Sequence, residues 1–271
     1  MTEPLFSSPA PGLRVSSGVD LLADLNPPQR EAVAHLGSPL LVVAGAGSGK
    51  TRVLTRRIAY LVAERGVHPG SILAITFTNK AAAEMRHRVE ELVGRRARLM
   101  WVSTFHSACV RILRADIDKF GWSKSFSIYD DADSKRLLSQ VLRDLNLDAK
   151  RFPIRQVRSW VSQQKNDLID FERAAAQVGQ HPLRRHYAEV YAEYQRRLER
   201  ANALDFDDLI MMTVNLFEAF PALREAYRRR FRHVLVDEYQ DTNPAQYALV
   251  RQLCAPDLAG APAVAIEAPE L

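Results

Sequence analysis

The octapeptide Ala44-Gly-Ala-Gly-Ser-Gly-Lys-Thr51 constrains the fold more than any other part of the chain. It follows the apolar run Pro39-Leu-Leu-Val-Val-Ala44. It precedes Arg52 to Glu64, where Val53, Leu54, Ile58, Leu61 and Val62 recur with helical spacing. A glycine-rich string between a buried strand and a helix has the context of a phosphate-binding loop. Gly45, Gly47 and Gly49 let backbone amides turn inward and approach a phosphate without side-chain obstruction, and the helix behind them presents its positive end. Ala44 stands where such loops usually begin with glycine, and Ala46 and Ser48 complete the turn. Lys50 supplies a mobile cation for the β- and γ-phosphates, and Thr51 a hydroxyl for Mg²⁺. A bare glycine turn is the plainer alternative, but Gly-Lys-Thr in this register speaks against it. The string points to a nucleotide and leaves the reaction open.

Two more strand-then-helix units follow. Ile72 to Ile75 reads as a strand and Lys80 to Val93 as a helix stopped by Gly94; Leu99 to Val102 reads as a strand leading into a helix around Ala108 to Ile117. Strands buried on both faces and alternating with helices imply an α/β fold with a parallel sheet flanked by helices. From Phe126 to about Asn202 the pattern is almost wholly helical. Asp130 to Asp133 is a helix start, Pro153 suits a first turn ahead of Val157, Trp160 and Val161, and Tyr187, Val190, Tyr191, Tyr194 and Leu198 share one face. That aromatic stripe reads as core. The sheet pattern returns at Val234 to Val236, so the helical block is an insertion. The expected organisation is a disordered leader over 1–20, an α/β domain over 21–114 and 204–253, a helical subdomain over 115–203, and an Ala/Pro-rich tail over 254–271 without packed structure.

Leu235-Val-Asp-Glu-Tyr-Gln-Asp-Thr242 completes the nucleotide site. A carboxylate directly after a buried strand lies at the C-terminal edge of the sheet, where open α/β sheets bind ligands. Asp237 is suited to hold Mg²⁺, and Glu238 to take the proton of an attacking water. Alone, two adjacent acids are a polar turn; an upstream phosphate loop favours the catalytic reading. Asp205-Phe-Asp-Asp208 reads instead as a helix-capping box, with Leu204 and Leu209 as its hydrophobic staple.

The 37 basic and 32 acidic side chains give a net +5, which mildly favours polyanionic partners. No run of eighteen apolar residues is present, and the N-terminus lacks a signal-peptide pattern, so the protein reads as cytoplasmic, without a membrane partner. Cys109 and Cys254, far apart and outside any Cys-x-x-Cys pair, suggest neither a disulfide framework nor a zinc site.

Six segments in this order resemble the superfamily-one helicases of the UvrD/PcrA/Rep group, from about Leu21 to Leu253. They are Leu25-Asn-Pro-Pro-Gln29-Arg-Glu-Ala-Val33, Ala44 to Thr51, Ile75-Thr-Phe-Thr-Asn-Lys-Ala-Ala-Ala-Glu-Met85, Trp101-Val-Ser-Thr-Phe-His106, Leu204-Asp-Phe-Asp-Asp-Leu209 and Val236-Asp-Glu-Tyr-Gln-Asp-Thr-Asn243. The resemblance implies a RecA-like P-loop NTPase domain (1A), an inserted all-helical subdomain (1B), and ATP with Mg²⁺ as ligands. It implies that Gln29 reads the adenine edge, a task suited to an amide; on its own Gln29 is an exposed helix-start residue. Arg52 lies either against the base or in solvent. Phe77, Thr78 and Asn79, with Thr104, Phe105 and His106, match segments that contact single-stranded DNA, where an aromatic can stack on any base. Without the resemblance Phe77 would be core and His106 a capping residue.

A complete family member continues beyond Leu253 into a Gly-Asp-x-x-Gln-Ser segment and a second RecA-like domain that brings arginines to the γ-phosphate. These 271 residues contain neither. The expectation is therefore the N-terminal half of an ATP-dependent 3'-to-5' DNA helicase acting on single strands and single-strand/duplex junctions in repair, with DNA repair proteins as possible partners. On this expectation the chain alone binds ATP-Mg and single-stranded DNA but does not unwind. A truncated, non-catalytic DNA- or partner-binding module is the alternative, and a P-loop ATPase acting on RNA or on no nucleic acid is a third.

Overall fold

The structure is a computed structural model that describes residues 20–45, 47–179, 181–254 and 265–266. The leader up to residue 19, Ala46 and most of the tail lie outside these residues. The chain divides into two compact units, one built from residues up to 104, 226–239 and from 253 onward, the other from 105–225 and 240–252. The first holds α1 (Pro27–Ala34), β1 (Leu41–Val42), α2 (Lys50–Ala63), β2 (Ile72–Thr76), α3 (Asn79–Val93) and β3 (Trp101–Thr104). The second holds α4 (Phe105–Asp116), β4 (Ser127–Tyr129), α5 (Asp131–Asp144), α6 (Ile154–Asn166), α7 (Phe171–Gln177), α8 (Pro182–Arg200), β5 (Ala203–Asp205) and α9 (Phe206–Ala219). α10 (Pro221–Arg230) leads back to β6 (His233–Val236) of the first unit, α11 (Pro244–Leu253) runs in the second, and β7 (Ala265–Ile266) returns to the first.

In the first unit β3, β2 and β6 form a parallel sheet with β2 in the centre. All five residues of β2 are buried, as its unbroken apolar run requires. Ile58 and Leu61 of α2 and Ala82, Met85 and Val89 of α3 pack in one core with Ile72, Ala74, Val102 and Leu235. Thr78 caps α3 by accepting from the Ala81 amide at 3.1 Å, and Gly94, at φ 72°, ends it. Arg57 of α2 donates to the carbonyls of Ala32, Val33 and His35 at 2.9, 3.3 and 2.8 Å, closing the C-terminal end of α1.

Three expectations need correction here. The first strand is only two residues long, and Leu41 and Val43 are exposed, Val43 at 53%. Its partner is β7, in parallel register Leu41 to Ala265 and Val42 to Ile266. The tail therefore contains a strand, too short to stand out among Ala and Pro. β3 begins two residues later than its apolar run, because Gly94–Leu99 winds into a 3-10 turn that leaves Leu99 exposed.

The second unit is mostly helical, and the shared face of α8 is core as expected: Tyr187, Val190, Tyr191, Tyr194 and Leu198 pack with Leu138, Val141, Val157 and Val161. Asp130 caps α5 through the amides of Ala132 and Asp133 at 2.8 and 2.9 Å. Pro153 sits at the cap of α6 rather than inside its first turn. The block is not wholly helical, since β4 and β5 pair in parallel from Ser127 and Ala203 to Tyr129 and Asp205. Compactness also groups α4 and α9 with this unit, whereas the expected boundaries at 114/115 and 203/204 assign both to the α/β domain.

The Asp205/Asp208 capping box opens α9, with the Asp208 amide 2.9 Å from Asp205 Oδ1 and the Asp205 amide 3.1 Å from Asp208 Oδ2. Leu204 and Leu209 beside it are both buried. Its carboxylates also hold Lys165, a wholly buried ammonium 2.7 Å from Asp205 Oδ2 and 2.8 Å from Asp208 Oδ1. The Tyr194 hydroxyl donates to Asp205 at 2.9 Å and the Gln195 amide to Asp208 at 3.2 Å. Burial would lower the Lys165 pKa, but the two carboxylates outweigh it and raise it. Burial and the charge of Asp205 push Asp208 up to about 7. Burial opposes ionisation of Asp205 too, but Lys165 wins and holds it below its ordinary value.

Removing one partner of a buried ion pair strands the other charge, at a cost of about 3 to 5 kcal/mol. Lys165→Met should therefore lower the stability of the chain in urea denaturation by that amount. Adding D205N and D208N to K165M should recover part of the loss, because no buried charge is then left unpaired.

Candidate nucleotide and nucleic-acid site

The glycine-rich loop after β1 enters α2 through two left-handed glycines, Gly47 at φ 76° and Gly49 at φ 87°. Gly49 is the N-cap of α2 and, lacking a side chain, makes no side-chain cap bond. The helix's first amides are thus without the usual Ser, Thr, Asp or Asn cap, the arrangement that suits an anion. Ser48 Oγ donates to the Gly45 carbonyl at 2.7 Å. Lys50 Nζ donates to the carbonyls of Ala44 and Gly45 at 3.0 and 3.3 Å, so the ammonium is folded back over its own loop. Thr51 follows it in the first turn of α2.

Gln29 ties α1 to this loop. Its side-chain carbonyl accepts from the Asn26 amide at 3.0 Å, Asn26 Oδ1 accepts from the Gln29 amide at 2.9 Å, and Gln29 Nε2 donates to the Ser48 carbonyl at 2.9 Å. A Cβ on Gly49 would come within 3.2 Å of Gln29 Nε2, so the loop and the glutamine approach as closely as glycine permits. Arg52 reaches Asp24 at 4.0 Å, both side chains being well exposed.

The strand carrying the acidic pair is positioned by the sheet. The Asp237 amide donates to the Ile75 carbonyl at 2.9 Å, extending the pairing of β6 with β2 by one residue past Val236. Asp237 thereby stands at the C-terminal edge of the sheet. Burial and the adjacent Glu238 charge raise its pKa, while the Lys50 ammonium pulls it down. The loop lysine and the strand-end carboxylate, far apart in sequence, are close enough for their charges to interact. Glu238 is exposed and adopts φ 48°, a left-handed conformation that costs a non-glycine residue about 1 to 3 kcal/mol, and its amide donates to Asp237 Oδ1 at 3.1 Å. Such strain concentrates at functional positions.

A hydroxyl on Thr51 and a carboxylate on Asp237 are hard oxygen donors of the kind magnesium prefers. Among the described residues no group of three His, Cys, Asp or Glu side chains could hold a metal by itself. Two such donors are fewer than the six ligands of a magnesium ion, so an ion held there would take the others from water or phosphate.

The segments proposed for nucleic acid leave the neighbouring strands. Thr76 and Thr104 are register partners at the ends of β2 and β3. Phe77 is half-buried, Thr78 is used as the α3 cap, and Asn79 is exposed in the first turn. Thr104 is buried, and Phe105 is only 1% exposed. A base cannot reach the face of a ring buried to that degree, so Phe105 is withdrawn as a stacking residue and is assigned to the core. His106 is half-buried and meets Phe206 edge-on, with ring centroids 5.6 Å apart. Burial lowers its pKa and Asp207 opposes that shift.

The UvrD/REP helicase N-terminal domain family model matches residues 25–259. The chain belongs to this family. The ATP-dependent DNA helicase UvrD1 of Mycobacterium tuberculosis is 64% identical over 240 residues, covering 88% of this chain and 31% of that protein. The ATP-dependent DNA helicases PcrA of Bacillus subtilis and Staphylococcus aureus are 53% and 51% identical over 233 and 238 residues, covering 86% and 87% of this chain and 31% and 32% of theirs. The chain thus spans about a third of the length of the curated relatives it matches.

In this member of the UvrD/REP family, sequence reasoning placed Asp237 directly after a sheet strand, as found, but missed the polar side chains that tie the elements together. Arg57 carries no motif or periodic signal that sets it apart from the other basic residues of α2. Lys165 carried a signal, since it continues the buried stripe of Val157 and Val161 at the next helical turn.

Gln29→Ala removes the capping box and the bond to Ser48 together. A lost N-cap partner costs about 1 kcal/mol. The expected result is faster hydrogen exchange at the amides of Ser48 to Thr51 with the exchange of β2 unchanged.

Proposed function

We propose that this chain is the nucleotide-binding part of an ATP-dependent helicase motor that tracks along single-stranded DNA in the 3'-to-5' direction, in the cytoplasm and in the service of DNA repair. The observation that supports the reading is the place of Asp237, directly after β6 and hydrogen-bonded to Ile75 at the C-terminal edge of the sheet, with the charge of Lys50 acting to lower its pKa. The relatives are ATP-dependent DNA helicases, which supports the choice among P-loop enzymes. Among the described residues no helix is long and apolar enough to cross a membrane.

On this reading Gly45, Ala46, Gly47, Ser48 and Gly49 turn their amides to the phosphates, and Lys50 exchanges its loop carbonyls for β- and γ-phosphate oxygens. Thr51 and Asp237 hold the magnesium, which when bound neutralises the phosphate charge. Glu238 takes the proton of the attacking water. Gln29, whose amide already orients the loop, reads the adenine edge, and Arg52 lies beside the base. Phe77, with Asn79, Thr104 and His106, contacts the single strand.

Hydrolysis also calls for a positive group at the transferring phosphate, worth about 10³ to 10⁵-fold in rate. Translocation needs two bodies that hold DNA differently in different nucleotide states. The 271 residues by themselves are therefore expected to bind ATP-Mg and single-stranded DNA, to hydrolyse slowly and to separate no duplex.

Titration of the chain with a fluorescent nonhydrolysable ATP analogue and with labelled single-stranded DNA and RNA tests this reading. Lys50→Ala should abolish nucleotide binding, whereas Glu238→Gln should preserve it and remove residual turnover. DNA affinity should fall steeply with salt. Preference for RNA, or strand separation by these residues alone, would contradict the proposal.

A further inference from the structure

Two arginine-rich runs of the first unit lead into the strands on either side of β2. Gly94-Arg-Arg-Ala-Arg-Leu99 precedes β3, and Arg228-Arg-Arg-Phe-Arg232 precedes β6. Both strands pair with β2 in parallel, Trp101 opposite Leu73 and His233 opposite Ile72, so the two runs reach the same N-terminal edge of the sheet. Ring contacts join them there. Trp101 and Phe231 meet edge-on with centroids 4.9 Å apart, and the Arg230 guanidinium lies 4.7 Å from the Trp101 centroid and 5.2 Å from that of Phe231. Asp237 stands at the other end of β6, about 16 Å from Arg232 along the extended chain.

The charge of this edge is not balanced locally. Arg95, Arg96, Arg229 and Arg232 are exposed, and among the described residues none of them is in an ion pair. Acids of the adjoining α3 are already engaged, Glu90 by Arg98 at 2.7 Å and Glu91 by His87 at 3.3 Å. The positive charge also reaches the strand: after burial, Arg57 and Arg232 both lower the pKa of His233. Basic residues in the last turn of a helix offset its dipole, which accounts for Arg228, Arg229 and Arg230 of α10. It does not account for Arg232, which lies past that helix, or for Arg95 and Arg96, which belong to a different element.

Like charges gathered on one face repel one another until a counter-charge covers them. Arginine forks suit carboxylates and phosphates alike, and the rest of the face separates the two. Trp101 and Phe231 are 5% and 2% exposed, so neither offers a ring to a base. Leu99, at the end of the first run, is 56% exposed. An apolar side chain among arginines matches a protein segment that brings carboxylates and an apolar residue, and gives nothing to a phosphate backbone. We propose that the N-terminal edge of the sheet, through Arg95, Arg96, Leu99, Arg229 and Arg232, docks an acidic protein segment bearing an apolar residue. The surface is separate from the nucleotide edge, and the inference does not rest on the functional reading above.

Fluorescence anisotropy on the full chain tests this with two probes, a labelled peptide of aspartates and glutamates around a central leucine, and a short labelled DNA duplex. The peptide should bind, and its counterpart with lysines in place of the acids should not. R96E combined with R232E should weaken the peptide about tenfold or more, because two attractions become repulsions. Leu99→Ala should weaken the peptide about threefold and leave the duplex unaffected. All three changes fall on exposed side chains, so thermal unfolding should be unaltered. On adding peptide, NMR shifts should move at residues 94–99 and 229–233 and stay fixed at 47–51. A chain that does not bind the peptide, or peptide affinity unchanged in the arginine variant, overturns the proposal. So does a duplex weakened as much as the peptide by the arginine changes, with Leu99→Ala silent toward both, since the face would then be a phosphate surface.

Discussion

Asp237 is held where it is by a single backbone bond to Ile75, and most of what the first unit can do depends on that register. Because β2 and β6 run parallel from Ile72 and His233, the chain leaves both strands at the same edge. There the carboxylate meets the field of Lys50, whose helix packs back over the same sheet through Ile58 and Leu61. Shifting β6 by one residue would turn Asp237 to the opposite face and leave the phosphate loop without its acidic wall. The glycines matter for the same reason, since Gly49 lets the loop approach Gln29 and begin α2 without a side-chain cap.

The second unit solves a different problem. It buries tyrosines on α8 and, beneath them, an ammonium between two carboxylates that also cap a helix. A buried ion pair is weak support for stability, because desolvation offsets much of its attraction. Its effect here is specificity of placement: Lys165 fits only if α6 meets the start of α9 in one register. Asn166 and Asn243 extend that fixed point by hydrogen bonds to the segment that follows the acidic pair.

Legibility in the sequence followed the strength of local chemistry. The left-handed glycine turn before α2, the wholly buried β2, the caps at Asp130 and Asp205 and the tyrosine face of α8 each carry a short-range signal of turn residues or apolar period, and each is found where that signal lies. Elements made by distant pairing were not legible. β4 and β5 are three residues each, and β7 is two, so their existence depends on partners far along the chain. Phe105 could not be assigned from sequence, because an aromatic after a strand is equally suited to a core or to a base. Lys165 was passed over because lysine is rarely buried, although its helical spacing placed it among valines.

The claim on which the rest stands is that Thr51 and Asp237 surround one metal-triphosphate. Paramagnetic relaxation from Mn²⁺ substituted for Mg²⁺, read by NMR on the chain with a nonhydrolysable ATP analogue, measures this directly. The resonances of Thr51 and Asp237 should broaden together, and only when the nucleotide is present. Broadening at one without the other, or at the Asp205 and Asp208 cluster instead, would contradict it.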